Sequence, residues 1–158
     1  MAMVSPYRSL PVSKRVELVL LDLTTSKDSR ALYIQRMVAR GGGFRPVTLR
    51  SWPVEKLAKE IVRLNLETFQ DELGMLQTLY VDKEPELQIA FLDAAGVAHK
   101  DGHIADDMPT PFASAELVAS AAKLLLEQHG EDGKRYLRTI ALYNGEAWPG
   151  LGSVIGEA

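Results

Sequence analysis

The sequence predicts an all-α fold of about six or seven helices, and two observations support this prediction. Between Ser51 and Tyr80, apolar residues recur at spacings of three and four, the period of an amphipathic helix, for longer than anywhere else. The 158 residues are 46% apolar and 25% charged, which is an ordinary globular balance. We therefore expect one helical domain over residues 12–144, between an N-terminal arm at 1–11 and a C-terminal arm at 145–158.

The segment Val16–Leu23 is ambiguous, and it decides the fold class. It fits a helix that begins near Val12, but six apolar residues in eight also suit a strand buried on both faces. In that alternative, Arg30–Arg40 is a crossover helix, Phe44–Leu49 is a second strand, and the fold is α/β. Pro46 argues against a sheet because it cannot donate a hydrogen bond to a neighbouring strand. We therefore favour the helix.

The central stretch predicts two helices, or one helix that is kinked near Asn65. Ser51 is a candidate N-cap, and Pro53 follows in the first turn, where its missing N–H costs nothing. The apolar period breaks between Leu64 and Leu66, so the two halves cannot present one continuous stripe.

Proline and glycine bound the later helices. Pro85 precedes a predicted helix over Glu86–Ala95 that ends at Gly96. A long polar connection, Ala98–Pro111, follows, and loops of this length are often functional or mobile. Two further apolar stripes are separated by Gly130, which predicts a helix stop.

Two segments of the chain resemble each other and suggest two similar helical hairpins. Val19–Met37 aligns with Leu124–Leu142, and each reads as a helix, a polar turn and a second helix. The apolar stripes of all these helices predict the core. The expected core residues are Leu57, Ile61, Phe69, Leu73, Leu76, Leu92, Leu117, Leu124, Leu137 and Ile140.

Charge is distributed unevenly along the chain. Lys27–Arg63 holds nine basic and three acidic residues, whereas Glu67–Asp132 holds fourteen acidic and three basic residues. Either the electrostatic fields of the basic and acidic segments cancel because the segments lie close together in the fold, or the basic segment forms a face that attracts anions.

The glycine-rich turn beside these arginines is a candidate anion site. Backbone N–H groups of a glycine turn and nearby guanidinium groups suit a phosphate, although the pattern matches neither GxGxxG nor a P-loop. A helix stop followed by a flexible turn explains the same glycines. The candidate anion ligands are Arg36, Arg40, Gly42, Gly43, Arg45 and Arg50.

The polar connection contains a candidate metal site. His99, Asp101 and His103 offer imidazole and carboxylate groups, which suit Zn²⁺ or another divalent ion. Their spacing matches no established metal motif, so a solvated polar loop is the competing interpretation.

The sequence contains no catalytic signature such as a G-x-S-x-G elbow. We therefore expect a non-enzymatic helical protein-interaction or regulatory module, with no cofactor. Trp148, Leu151 and Ile155 are the candidate anchor for self-association or for a protein partner; the competing interpretation is that the arm packs on its own domain. The alternatives are nucleic-acid or anion binding through residues 27–63 and, second, an enzyme of unknown class; nucleic acid is not the favoured partner.

Membrane insertion and secretion are not expected. No run approaches the roughly 18–20 consecutive apolar residues of a membrane span, and the first eleven residues lack the order of a signal peptide. The chain has no Cys, which excludes disulfides, thiolate metal sites and Cys nucleophiles. The lack of a membrane span and of a signal peptide predicts a cytoplasmic protein, whereas a chain without Cys is compatible with any compartment.

Overall fold

The computed structural model describes residues 5–156, and its fold is all-α, as predicted. The α-helices of this range are α1 (Val12–Thr25), α2 (Lys27–Arg40), α3 (Pro46–Ser51), α4 (Val54–Arg63), α5 (Phe69–Gln77), α6 (Glu86–Ala95) and α7 (Ala115–Asn144). A π-helix, Thr78–Lys83, continues α5, and a 3-10 turn, Gly145–Ala147, follows α7. No helix in the described range is long and apolar enough to span a bilayer.

The α/β alternative is wrong. Val16–Leu23 lies inside α1, and most of Phe44–Leu49 belongs to α3, so neither segment is a strand. Pro46 begins α3, the position where a proline N–H is not needed. The only β-type backbone pairing among the described residues is an isolated bridge between Lys100 and His103.

The chain divides into two compact units, Met1–Met75 (unit 1) and Leu76–Ala158 (unit 2). The boundary lies within α5, where an apolar helical pattern runs without a proline- or glycine-rich linker. No linker therefore marks the boundary, although the change from basic to acidic segments falls within about ten residues of it. Unit 1 has twelve basic and eight acidic residues, a net charge of +4, while unit 2 has six basic and thirteen acidic residues, a net charge of −7.

In unit 1, α1 packs against α4, and α2 packs against both α1 and α3. The α2 helix begins at Ser26, whose side chain accepts a hydrogen bond from the Ser29 N–H. The N-terminal arm packs on this unit from Ser5 onward and buries Tyr7 and Leu10. Residues 1–4 of that arm lie outside the described residues.

The predicted break near Asn65 is confirmed, but the predicted N-cap is wrong. Asn65 has a positive φ of 54°, which ends the helical path between α4 and α5. Ser51 is the last residue of α3 rather than the cap of α4. The residues just before Trp52 form the short helix α3. Helix α4 begins after Pro53, and no side chain caps its N-terminus.

In unit 2, α6 packs along α7, and α6 ends at Gly96 as predicted. Gly130 leaves the helical conformation within α7, so α7 consists of two helical runs. A Cβ on Gly133 would lie 2.8 Å from the carbonyl oxygen of Leu125, whereas eight residues of a straight helix span about 12 Å, so the two runs fold back on each other. Both predicted hairpins are therefore present, the first with its turn at Ser26 and the second with its turn at Gly130.

Residues 145–156 of the C-terminal arm pack within unit 2. The Phe112 N–H donates to the Ala147 carbonyl over 3.0 Å, and Gly150 lies so close to Ala115 that a Cβ there would approach the Ala115 carbonyl oxygen to 2.7 Å. Trp148 contacts the rings of Phe91 and Phe112. Residues 157–158 of the arm lie outside the described residues.

The predicted core is partly confirmed. Leu57, Ile61, Leu76, Leu92 and Leu137 are buried, and Leu73 and Ile140 are half-buried. The prediction is wrong for three residues, Phe69, Leu117 and Leu124, which are 54%, 50% and 42% exposed.

The two errors on α7 share one cause. The helix turns a neighbouring stripe inward, formed by Val118, Ala121, Ala122 and Leu125, so the larger residues beside it face out. The small alanines of this stripe permit close packing, which a count of bulky side chains overlooks.

Candidate ligand pocket in unit 2

The predicted anion ligands do not converge on the glycine turn. Arg36 forms an ion pair with Asp71 at 2.6 Å and stacks over the Tyr33 ring at 4.9 Å. Arg40 donates to the Leu64 carbonyl over 2.9 Å. The two arginines nearest the turn on its N-terminal side are thus held by other parts of unit 1.

The remaining candidates of the anion site are exposed. Gly42, Gly43 and Arg45 lie in the open turn between α2 and α3. Arg50 lies at the edge of a groove of about 320 Å³ between α2 and α3, whose other walls include Ile34 and Val38. Anion binding at these residues stays a prediction.

The predicted metal ligands are not assembled as a metal site. His99 is bonded on both ring nitrogens, to Asp93 over 2.6 Å and to the Gly102 N–H over 3.0 Å. Asp101 and His103 are exposed. Within residues 5–156, no group of three or more His, Cys, Asp or Glu side chains is placed to hold an ion.

Unit 2 instead contains an open pocket of about 330 Å³. Its residues come from the end of α5, the π-helix, α6, the segment between α6 and α7, the second run of α7 and the C-terminal arm. The lining residues are Leu76, Gln77, Tyr80, Val81, Gln88, Leu92, Gly102, His103, Ile104, Phe112, Tyr136, Thr139, Ile140, Tyr143, Asn144 and Trp148.

Five of the sixteen lining residues of this pocket are Tyr, Phe or Trp, and five are Leu, Val or Ile. Tyr80 and Tyr136 pack edge to face, with ring centroids 5.2 Å apart and planes at 81°. Phe112 and Trp148 form a second such pair at 5.2 Å and 67°. Crossed pairs of this kind hold rings in fixed orientations, so they give the pocket a defined shape.

Buried tyrosines make the inner wall a neutral surface. Burial raises the pKa of Tyr136 far above its ordinary value, and the neighbouring Tyr80 raises it further. Burial also raises the pKa of Tyr80, although Arg135 acts in the opposite direction. Both hydroxyls are therefore protonated at every physiological pH, and each can act as a hydrogen-bond donor.

A few polar groups interrupt the apolar lining. The Gln88 amide nitrogen donates to the Gly102 carbonyl over 2.6 Å, which fixes the amide against the loop. The Tyr136 hydroxyl donates to the Gln88 amide oxygen over 3.4 Å, a long and weak hydrogen bond. Asn144 and Gln77 place exposed amides around the opening. This mixture, mostly apolar with a few convergent polar groups, is typical of small-molecule sites.

The π-helix Thr78–Lys83 forms part of the pocket through Tyr80 and Val81. π-Helical turns are rare and occur frequently at functional sites, because the extra residue in the turn redirects nearby side chains. This is a second observation, independent of volume, that marks the same region.

Two regions singled out from the sequence meet at this pocket. The polar connection contributes Gly102, His103 and Ile104 to the wall, and the C-terminal arm contributes Trp148, which is only 5% exposed. Leu151 and Ile155 are buried in unit 2 as well. Their role as an interaction anchor stays a prediction, and it requires buried side chains to become exposed.

Sequence reasoning missed the pocket itself. Tyr80 ends the apolar period of the central stretch, Tyr136 lies on the apolar stripe after Gly130, and both are buried. The presence of a tyrosine on each of two apolar stripes was the available sign that an aromatic-lined pocket could form. Periodicity tells which face of a helix turns inward, but it does not tell whether the facing side chains fill the space between them.

The comparisons with known proteins add no assignment. No family model, curated protein or solved structure matches this chain.

Proposed function

We propose that this protein is a non-enzymatic binding or regulatory module that holds a small, predominantly apolar ligand in the pocket of unit 2. The observation that supports this proposal is the aromatic-lined cavity of about 330 Å³ with a few polar groups along its wall and rim. This volume lies at the lower end of the roughly 300–1,000 Å³ range of small-molecule sites.

The lining chemistry favours binding over catalysis. The Thr139 hydroxyl is a poor nucleophile here because it donates to the Arg135 carbonyl over 2.8 Å, and no base activates it. The Tyr136 hydroxyl is held in its protonated form by burial, which raises its pKa. The side chains of the pocket thus supply shape and hydrogen bonds rather than an acid and base pair.

Ligand binding at this site also gives a physical route to regulation. The pocket is built from six separate parts of unit 2, among them the 98–111 connection and the C-terminal arm. A ligand that contacts Ile104 and Trp148 together stabilises the arrangement in which the loop and the arm are both packed.

The test is a thermal-shift experiment with naphthalene derivatives of different charge, on the intact chain. A ligand present at 100 times its Kd stabilises a protein by about 2.7 kcal/mol, which raises Tm by roughly 5–10 °C at this chain length. We expect at least one derivative to produce such a shift.

Variants locate the binding site. Ile140→Phe and Val81→Phe place larger side chains on two different walls of the pocket, and each should abolish the shift. Leu142→Phe is the matched control, because Leu142 lies on the same helix, is 48% exposed and does not line the pocket. The proposal is wrong if no derivative stabilises the protein, or if folded Ile140→Phe and Val81→Phe proteins respond like the wild type.

A further inference from the structure

We infer that the ligand is an uncharged, planar molecule of about two fused aromatic rings with one hydrogen-bonding substituent. This inference rests on the proposed function, since it concerns the same pocket, and it adds the chemical class of the ligand. It follows from the volume, the charge and the ring geometry of the site.

The volume sets the size of the ligand. A dry cavity of about 150 Å³ lined by apolar side chains accommodates one benzene ring. The pocket of unit 2 has a volume of about 330 Å³, roughly twice as large. A bicyclic ring system fills this space, whereas one ring leaves much of the wall without contacts, and every missing contact forfeits dispersion energy.

The lining residues favour an uncharged ligand. None of the sixteen is Asp, Glu, Lys or Arg, and the one imidazole, that of His103, lies exposed at the rim. An ion that enters this pocket loses its water without gaining a partner of opposite charge, which is strongly unfavourable. The net charge of −7 on unit 2 further opposes an anion.

The arrangement of the rings favours an aromatic ligand. The Tyr80–Tyr136 and Phe112–Trp148 pairs already pack with their planes at 81° and 67°. A flat ligand extends this pattern, because its edges and faces meet ring faces and edges at the separations that such pairs prefer. An aliphatic ligand of equal volume lacks that complementarity.

The polar groups define the substituent. The hydrogen bond from Tyr136 to Gln88 is long, at 3.4 Å, so the Tyr136 hydroxyl has more to gain from a closer acceptor. The exposed amides of Gln77 and Asn144 provide both donors and acceptors at the opening. A carboxamide or hydroxyl group on the ligand satisfies either end of the pocket.

A matched series of four probes tests this inference by calorimetric titration of the intact chain at about pH 7.5. The series contains 2-naphthamide (neutral), 2-naphthoate (anion), 2-naphthylmethylammonium (cation) and benzamide (neutral, one ring), whose ionisation states at this pH are well separated. We expect 2-naphthamide to bind at least about tenfold tighter than each of the others. Ile140→Phe should weaken its binding by at least about tenfold, and Leu142→Phe should not.

The outcomes separate the two claims. If 2-naphthoate or 2-naphthylmethylammonium binds as tightly as 2-naphthamide and Ile140→Phe weakens that binding, the ligand is charged; the inference is then wrong and the proposed function stands. Equal binding of benzamide overturns the two-ring assignment alone. The proposed function fails together with the inference if no probe binds. It also fails if the folded Ile140→Phe and Val81→Phe proteins bind 2-naphthamide as tightly as the wild type does.

Discussion

A buried carboxylate holds the N-terminal arm of unit 1 in place. The Glu67 side chain is fully buried and accepts a hydrogen bond from the Tyr7 hydroxyl. Arg15 lies 3.4 Å from the same carboxylate oxygen, and Arg8 lies 3.7 Å from the other oxygen. Because a buried charge is costly unless its partners are present, each of these contacts is needed once the carboxylate is buried. The cluster therefore makes the arm a stable part of unit 1.

Two buried tyrosines of unit 1 give a matched test of this cluster. The Tyr7 hydroxyl is bonded to Glu67, whereas the Tyr33 hydroxyl is buried without a hydrogen-bond partner among the described residues. We expect Tyr7→Phe to lower the free energy of unfolding by about 1–3 kcal/mol, since it leaves Glu67 short of a donor. Tyr33→Phe should be neutral or stabilising, because it removes a hydroxyl that gains nothing from burial. Urea unfolding of the two variants measures this difference, and equal losses would contradict the account.

Among the helices, α7 is the element whose geometry depends most on one residue. Gly130 has φ 55° and ψ −128°, a conformation that side chains disfavour, and it divides α7 into two runs. The second run carries Tyr136, Thr139 and Ile140 to the pocket. The direction of that run, and hence the position of the pocket wall, depends on this turn.

The effect of Gly130 can be isolated by comparison with Gly145. At either position an added Cβ meets no atom within 4 Å, so only the backbone conformation differs. Gly130→Ala should cost about 1–3 kcal/mol because φ is positive. Gly145→Ala should be neutral or stabilise the protein by up to about 1 kcal/mol, since φ is −57° there. Thermal unfolding followed by circular dichroism measures both changes, and a Gly130→Ala protein as stable as the wild type would show that the turn carries no strain.

The sequence predicted well which segments are helices, and less well which face of each helix is buried. The helix α6 and the stop at Gly130 followed from local signals, glycine and proline beside an apolar stripe. On α7, Leu117 and Leu124 were placed in the core, although the smaller Val118 and Ala121 face inward. Which of two adjacent stripes is buried depends on the neighbouring helix, and a single segment does not contain that information.

The candidate site was predicted only as a region. The 98–111 connection was singled out because of its length, and it does form part of the pocket. Its expected chemistry was a metal site built on His99, but that ring is bonded to Asp93 and Gly102. Residues that line the pocket, such as Gln88 and Tyr136, come together only through the packing of α6 on α7. That packing is a property of the folded unit and not of any motif.

At the scale of the whole molecule, every tyrosine is in an environment that disfavours its ionised form. The chain has five tyrosines, at positions 7, 33, 80, 136 and 143, and burial is the largest cause that raises the pKa of each one. An unfolded tyrosine ionises near pH 10. Above that pH the unfolded chain binds fewer protons than the folded chain, so stability falls as pH rises.

This linkage predicts the alkaline behaviour of the protein. Tyrosine absorbance near 295 nm should not follow a free titration centred at about pH 10. For the four buried tyrosines, at positions 7, 33, 80 and 136, it should instead rise together with the loss of helical circular dichroism at higher pH, because ionisation of a buried ring requires unfolding. Tyr143 is 40% exposed and can ionise in the folded protein. Full ionisation at about pH 10 with an intact helical spectrum would contradict the burial of the other four side chains.

The pocket of unit 2 is the central claim, and the two indole N–H signals of the protein test it most directly. The chain has two tryptophans: Trp148 lines the pocket, and Trp52 lies in unit 1, where it packs with Phe44 and Lys56. In a ¹⁵N-labelled sample, with Trp52→Phe to assign the signals, titration with 2-naphthamide should move the Trp148 resonance in a saturable way and leave the Trp52 resonance unchanged. A Trp148 resonance that stays fixed at saturating ligand, or equal movement of both resonances, would contradict a ligand site in unit 2.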